Sequence, residues 1–372
     1  MLHRMLVFII LLTSLCTSAQ DYYLLAGTYD SPGSEGIYVF RFNSKDGSAK
    51  PVSHIKTSNP SYLAISPDQH FVYAVHENAK DGKGGEVASF SFNKLTGQLS
   101  FINQQLTGGD HPCYVETDKT GKWVFAGNYT SGSVSVLQTD GNGLLTSAVS
   151  LIQHYGQGPD SNRQRSPHVH CTYISPDNKY LFVPDLGIDK VMIYRFNAST
   201  GALTGDRNAY AASVPGAGPR HITFHPDGKK AFLIEELSGT VVAYTYKKGK
   251  LKTIQRISTM VDGDQRFPGS ADIHVSADGK FLYASNRSTV NNIAIYSISK
   301  KGKLTLLGHQ STLGNGPRNF NFDPSEQFLL VGNQNSDEIV IFERNASTGL
   351  LKDSGKRIAL GKPVCLKWIP VN

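Results

Sequence analysis

The densest reactive chemistry in this sequence lies between Arg163 and Asp177, which reads Arg-Gln-Arg-Ser-Pro-His-Val-His-Cys-Thr-Tyr-Ile-Ser-Pro-Asp. A neutral histidine here, His170 or His168, can take a proton from water near pH 7. Further along stand Arg220, Arg287 and Arg318, and the adjacent acids Glu235 and Glu236. Guanidinium groups hold carboxylate or phosphate bidentately and stabilise a developing oxyanion, and a carboxylate can orient them or shuttle a proton. These residue types suit hydrolysis by an activated water. No Gly-x-Ser-x-Gly elbow offers a serine nucleophile, no Cys-x-x-Cys occurs, and no His-x-x-x-His pair falls on a helical pattern. The expected chemistry therefore uses neither a metal nor a cofactor.

Residues this far apart can act together only if a regular framework gathers them, and one is visible. A short apolar run followed by a small or polar residue recurs along the chain. It appears at residues 23–27, 71–75, 123–127, 180–184, 231–234, 281–285 and 328–332. Its anchor residues are Leu25, Tyr73, Phe125, Phe182, Phe232, Tyr283 and Leu330, spaced by 47 to 57 positions. Turns such as Ser66-Pro-Asp68, Ser175-Pro-Asp177 and Ser276-Ala-Asp278 precede the anchors, and Thr-Gly or Lys-Gly turns follow a third apolar run. Four short strands per repeat of roughly 50 residues is the signature of a propeller blade. Seven anchors predict an all-β, seven-bladed β-propeller. Leu25 lacks a preceding inner strand, while residues 363–369 supply a spare one, so the C-terminal strand should complete the N-terminal blade and close the ring.

The repeat makes a prediction about the site. The residue twelve before each anchor is Ser61, Cys113, His170, Arg220, Ala271 or Arg318, with Val364 in the split blade. The residue four after each anchor is Tyr29, Glu77, Tyr129, Leu186, Glu236, Arg287 or Gln334. Antiparallel pairing of the two innermost strands should bring both sets to one face of the ring. His170, Arg220, Glu236 and Arg287 can therefore converge on one axial funnel. Each also has a bland alternative: His170 as a hydrogen-bonded strand residue, Arg220 or Arg318 as a tie between blades, Glu236 as an ion partner only. Glu235 competes with Glu236 from the opposite strand face, and His168 lies two residues from His170 on the same face. His111, His221 and His274 read as polar interior lining. The extra residues of the longest spacing fall at 154–165 and predict a loop over the funnel mouth, with Arg163 and Gln164 as substrate contacts.

The segment Gly218-Pro-Arg-His-Ile-Thr-Phe-His-Pro-Asp-Gly228, followed by Glu235-Glu-Leu237, resembles the lactonase family of seven-bladed propellers. That family includes propeller-type 6-phosphogluconolactonases and carboxy-muconate lactonising enzymes. Pro167-His-Val-His170, Ser285-Asn-Arg287, Gly316-Pro-Arg-Asn-Phe320, Gly127-Asn-Tyr129 and Gly332-Asn-Gln-Asn-Ser336 match as well, and in order. The resemblance spans essentially everything after the first twenty residues. It implies an active site of a His, two Arg and a Glu, which fall on His170, Arg220, Arg287 and Glu236. Arg318, His168, Arg163, Gln164, Asn128 and Gln334 are the expected substrate contacts.

Composition agrees with a turn-rich β protein: 36 glycines, 17 tyrosines and 18 phenylalanines in 372 residues, with 18% charged. The net charge of +7 is scattered, without the basic clusters and stacking aromatics of a nucleic-acid binder. His3 and Arg4, the apolar run Met5–Leu12 and the small residues before Gln20 fit a signal peptide, residues 1–19, cleaved after Ala19. The expected product is a periplasmic or secreted single domain, residues 20–372, monomeric and without membrane insertion. Three cysteines then remain, Cys113, Cys171 and Cys365, read as buried small side chains, with a Cys113–Cys171 bridge as the alternative. The leading functional expectation is hydrolysis of an anionic sugar-acid lactone. A muconate-type lactonising enzyme and a non-catalytic binding propeller are the alternatives.

Overall fold

The repeated turns form because serine and aspartate replace missing backbone partners. In a computed structural model describing residues 21–79, 84–205 and 209–371, the hydroxyl of Ser66 donates to Asp68 and accepts the amide of Phe71 at 2.9 Å. Ser175 with Asp177 and Tyr180, and Ser276 with Asp278 and Phe281, repeat the arrangement. These side-chain bonds fix the entry into the anchor strand of three blades. At the far end of the blade, Gly97 and Gly201 take positive φ values of 69° and 74°, a conformation glycine adopts at no steric cost.

The strands assemble into seven antiparallel sheets. Six are four-stranded and one, built around Tyr180–Asp185, has a fifth strand, Tyr210–Ala212, beside the short Leu203–Thr204. The anchors are the core of each sheet: all seven are at most 1% exposed. Sheets pack face to face in chain order around the ring, as Phe125 against Phe196 and Phe182 against Phe224 illustrate. The ring closes as expected. Pro363–Pro370 pairs antiparallel with Asp21–Thr28 and is the inner strand of the first blade. The signal-peptide residues lie outside the described residues. No α-helix occurs among the described residues.

Two local features depart from the simple repeat. The fourth blade, where His168 and His170 are expected on one strand face, has an inner strand of only Tyr173–Ile174, with an isolated bridge between Val169 and Asp185. Period-two alternation therefore does not govern His168 and His170. The second feature is a recurrent β-bulge. Pro219 pairs with Glu235 and His221 with Ile234, leaving Arg220 unmatched. Cys113, Arg318 and Val364 are unmatched in the same way, and the corresponding bulge of the sixth blade holds Ala271 and Asp272. A bulge re-aims side chains at a sheet end. Here it falls at the phase twelve residues before the anchor.

Candidate active site

The second strand of each blade ends one residue before the position four after the anchor. Thr28, His76, Asn128, Glu235, Asn286 and Asn333 close their strands, so Tyr29, Glu77, Tyr129, Glu236, Arg287 and Gln334 emerge at the same rim. All six line one axial cavity of about 500 Å³, together with Cys113, His170, Arg163 and Arg318. Leu186, at the seventh such position, is buried outside the lining. The repeat thus delivers side chains from every blade to one funnel.

Glu236 is the centre of its wall. Its Oε1 accepts a hydrogen bond from Arg163 Nη2 at 2.7 Å, and its Oε2 accepts from Arg220 Nε at 2.9 Å. Arg287 Nη2 lies 3.0 Å from the same Oε2. Burial alone would push this carboxyl up, but Arg287, Arg220 and Arg163 outweigh it and hold the group ionised down to about 2. Arg220 is almost completely buried and is fixed at its other end too, where Nη1 donates to Ala271 O and lies 3.1 Å from His221 Nε2. His221 Nδ1 is 2.9 Å from Asp272 Oδ1, which assigns the ring proton to Nδ1 and leaves Nε2 to accept from Arg220. His221 and Asp272 also line a second cavity at the other end of the axis.

His170 sits beside this group, buried, with Nε2 3.9 Å from Glu236 Oε2 and Nδ1 3.7 Å from Cys113 Sγ. Burial, then the charges of Arg220, His221 and Arg318, lower its pKa well below the usual histidine value. The imidazole is therefore neutral at working pH. Across the funnel stands a second carboxylate, Glu77. Its Oε2 accepts from Tyr29 Oη at 2.7 Å and from Ser61 Oγ. Arg318 Nη2 is 4.0 Å away, and its guanidinium lies 5.3 Å from the centre of the Tyr29 ring. Among the described residues, no cluster of three His, Cys, Asp or Glu side chains has the form of a metal site.

Residues 23–368 match the family model for "Lactonase, 7-bladed beta-propeller". The chain belongs to the lactonase family of seven-bladed propellers. Similar relatives include the 6-phosphogluconolactonase of Bacillus subtilis, 38% identical over 92% of this chain and 97% of its own length. The 6-phosphogluconolactonase of Formosa agariphila is 41% identical over 87% and 92%. Among solved structures, the periplasmic gluconolactonase of Pseudomonas aeruginosa superposes with a TM-score of 0.90 at 38% identity, covering 95% of this chain and all of its own.

Within this lactonase-family ring, the expected residues divide into two groups. His170, Glu236, Arg287, Arg318, Arg163 and Gln334 line the funnel, and Arg220 braces it from behind through Glu236. Three others do not line it. Asn128 is fully buried and spends its amide on Ser133 and Ser135, tying adjacent strand ends. Gln164 is also fully buried, holding the 156–165 loop together through Asp160, Leu186 and Asp189. His168 stacks on Tyr129 at 4.6 Å, with Nδ1 3.0 Å from the Tyr129 carbonyl. Glu235 points the other way, to Arg256 and Ser238. Glu77, Tyr29 and Tyr129 also line the funnel, where the phase of the repeat alone puts them. The signal was present in their shared position. Among the described residues, Cys113, Cys171 and Cys365 are free and buried, so the Cys113–Cys171 bridge does not form.

Proposed function

We propose that the chain is an exported hydrolase that opens the ring of a sugar-acid lactone, 6-phosphogluconolactone or an unphosphorylated relative. The observation that carries this reading is the neutral His170 placed beside a carboxylate bracketed by three guanidinium groups. A lactone lodged against Arg287 presents its carbonyl to fixed positive charge. His170 takes a proton from water as the water oxygen bonds to the carbonyl carbon, and the carbonyl oxygen becomes an oxyanion facing the guanidinium. When the ring C–O bond breaks, the departing ring oxygen takes that proton back from His170, and the product is the open hydroxy acid. Glu236 orients the arginines. Held ionised down to about 2, it is not a proton carrier at neutral pH.

The test is hydrolysis of glucono-δ-lactone and its 6-phospho form by the mature chain, with the spontaneous rate subtracted. His170→Ala should lower kcat by roughly 10²- to 10⁴-fold, the usual contribution of a general base. Full activity in both His170→Ala and Arg220→Ala would overturn the site. Inactivity of the wild type on every lactone, with tight binding of a protein or glycan, would favour a binding propeller instead.

A further inference from the structure

The funnel has two unlike walls. Blades four to six supply the neutral His170 together with Arg220, Glu236 and Arg287, and both guanidinium groups there are paired with Glu236. Blades seven, one and two lie across the axis and supply Arg318, Tyr29 and Glu77. There the commitments are incomplete. Glu77 Oε2 receives both Tyr29 and Ser61, while its Oε1 has no hydrogen-bond partner among the described residues. The Arg318 guanidinium makes no hydrogen bond to the protein among the described residues, although the side chain is only 16% exposed. Glu77 Oε1 as acceptor and Arg318 as donor, whose Nη2 lies 4.0 Å from the neighbouring Oε2, line one cavity and remain for a ligand.

A hydroxyl group satisfies both at once, donating to a carboxylate and accepting from a guanidinium, and charge-assisted bonds of this kind are the strong ones. A second carboxylate or a phosphate at this wall would meet Arg318 but be repelled by Glu77. Like charge against an unwanted ligand is a common source of specificity. Building on the lactonase reading, we propose that Glu77 and Arg318 form a hydroxyl-recognition subsite that selects polyhydroxylated lactones over dicarboxylate or unsubstituted ones. An anionic substituent then points toward the funnel mouth, where Arg163 lies.

The experiment compares kcat/KM for glucono-δ-lactone and for δ-valerolactone, which has the same ring without hydroxyl groups. Glu77→Gln keeps an acceptor for Tyr29 and Ser61 but removes the charge. It should lower kcat/KM on glucono-δ-lactone by roughly tenfold to a hundredfold, the worth of a hydrogen bond to a charged group. The loss on δ-valerolactone should be smaller, because no hydrogen bond of this kind is lost there. Equal losses on both substrates, or none on either, would overturn the subsite. If the variant does not fold, wild-type kinetics on singly deoxygenated gluconolactones decide: loss of one hydroxyl must cost at least about tenfold at one ring position, and uniform rates overturn the proposal. A wild type inactive on every lactone would instead remove the lactonase reading itself.

Discussion

At the scale of single residues, the site works by making some groups unable to titrate in the usual range. Burial and neighbouring positive charge depress His170, while Glu236 is held down by Arg287, Arg220 and Arg163. A depressed histidine binds its proton only at lower pH, so the base form persists on acidification. The acid limb of kcat/KM for glucono-δ-lactone should therefore lie clearly below pH 6.5, with a level rate between about pH 6.5 and 7.5. A pH-stat series checks this on the acid side, and a midpoint at or above 6.5 would contradict it. That His170, Glu236 and Arg287 reach one funnel was legible from phase and residue type. The exclusion of His168 was not, because it depends on the chain leaving strand geometry between Pro167 and Thr172, where only Val169 makes a bridge. Asn128 and Gln164 misled for a related reason: a polar residue near a rim is as readily used to fasten strand ends or a loop as to meet a ligand.

At the scale of elements, the inner strand contributes a bulge in five of the seven blades, and in six the second strand contributes an exit residue to the funnel. Together they aim side chains at the axis, and the first blade takes its inner strand and bulge from the last strand of the chain. Val364, Leu366 and Ile369 in that strand are at most 1% exposed. Burying them is worth about 5–9 kcal/mol at 1.5–3 kcal/mol each. That is comparable with the whole stability of a typical domain, about 5–15 kcal/mol. Removal of residues 363–372 should therefore leave an open ring that fails to accumulate as soluble folded protein. A cooperative thermal transition in the truncated chain, near that of the full one, would contradict this. The split blade could be read from a missing strand at one end and a spare at the other. The bulges could not, since an extra residue in one strand leaves no mark on an apolar pattern.

At the scale of the whole molecule, seven similar sheets give an asymmetric funnel: one wall of committed charges around Glu236, and one wall with free hydrogen-bonding capacity around Glu77 and Arg318. The loop of residues 156–165 adds Arg163 at the mouth and ties it to both Tyr129 and Glu236. A closed ring leaves no inner strand to be completed by another subunit. Sedimentation of the protein expressed from the full sequence should give one species at the mass of a single chain, with an N-terminus at Gln20 by intact mass; a dimer, or an uncleaved leader, would contradict it. The sequence by itself determined the number of blades, the way the ring closes, and which phases of the repeat face the axis, because these follow from the period of apolar residues and turns. Only the tertiary structure decided which polar residues at those phases meet the cavity and which are used up inside. That choice depends on bulges, loop packing and the pairing of charges from different blades, which bring together groups as distant as Arg163, Glu236 and Arg287, or Tyr29, Glu77 and Arg318.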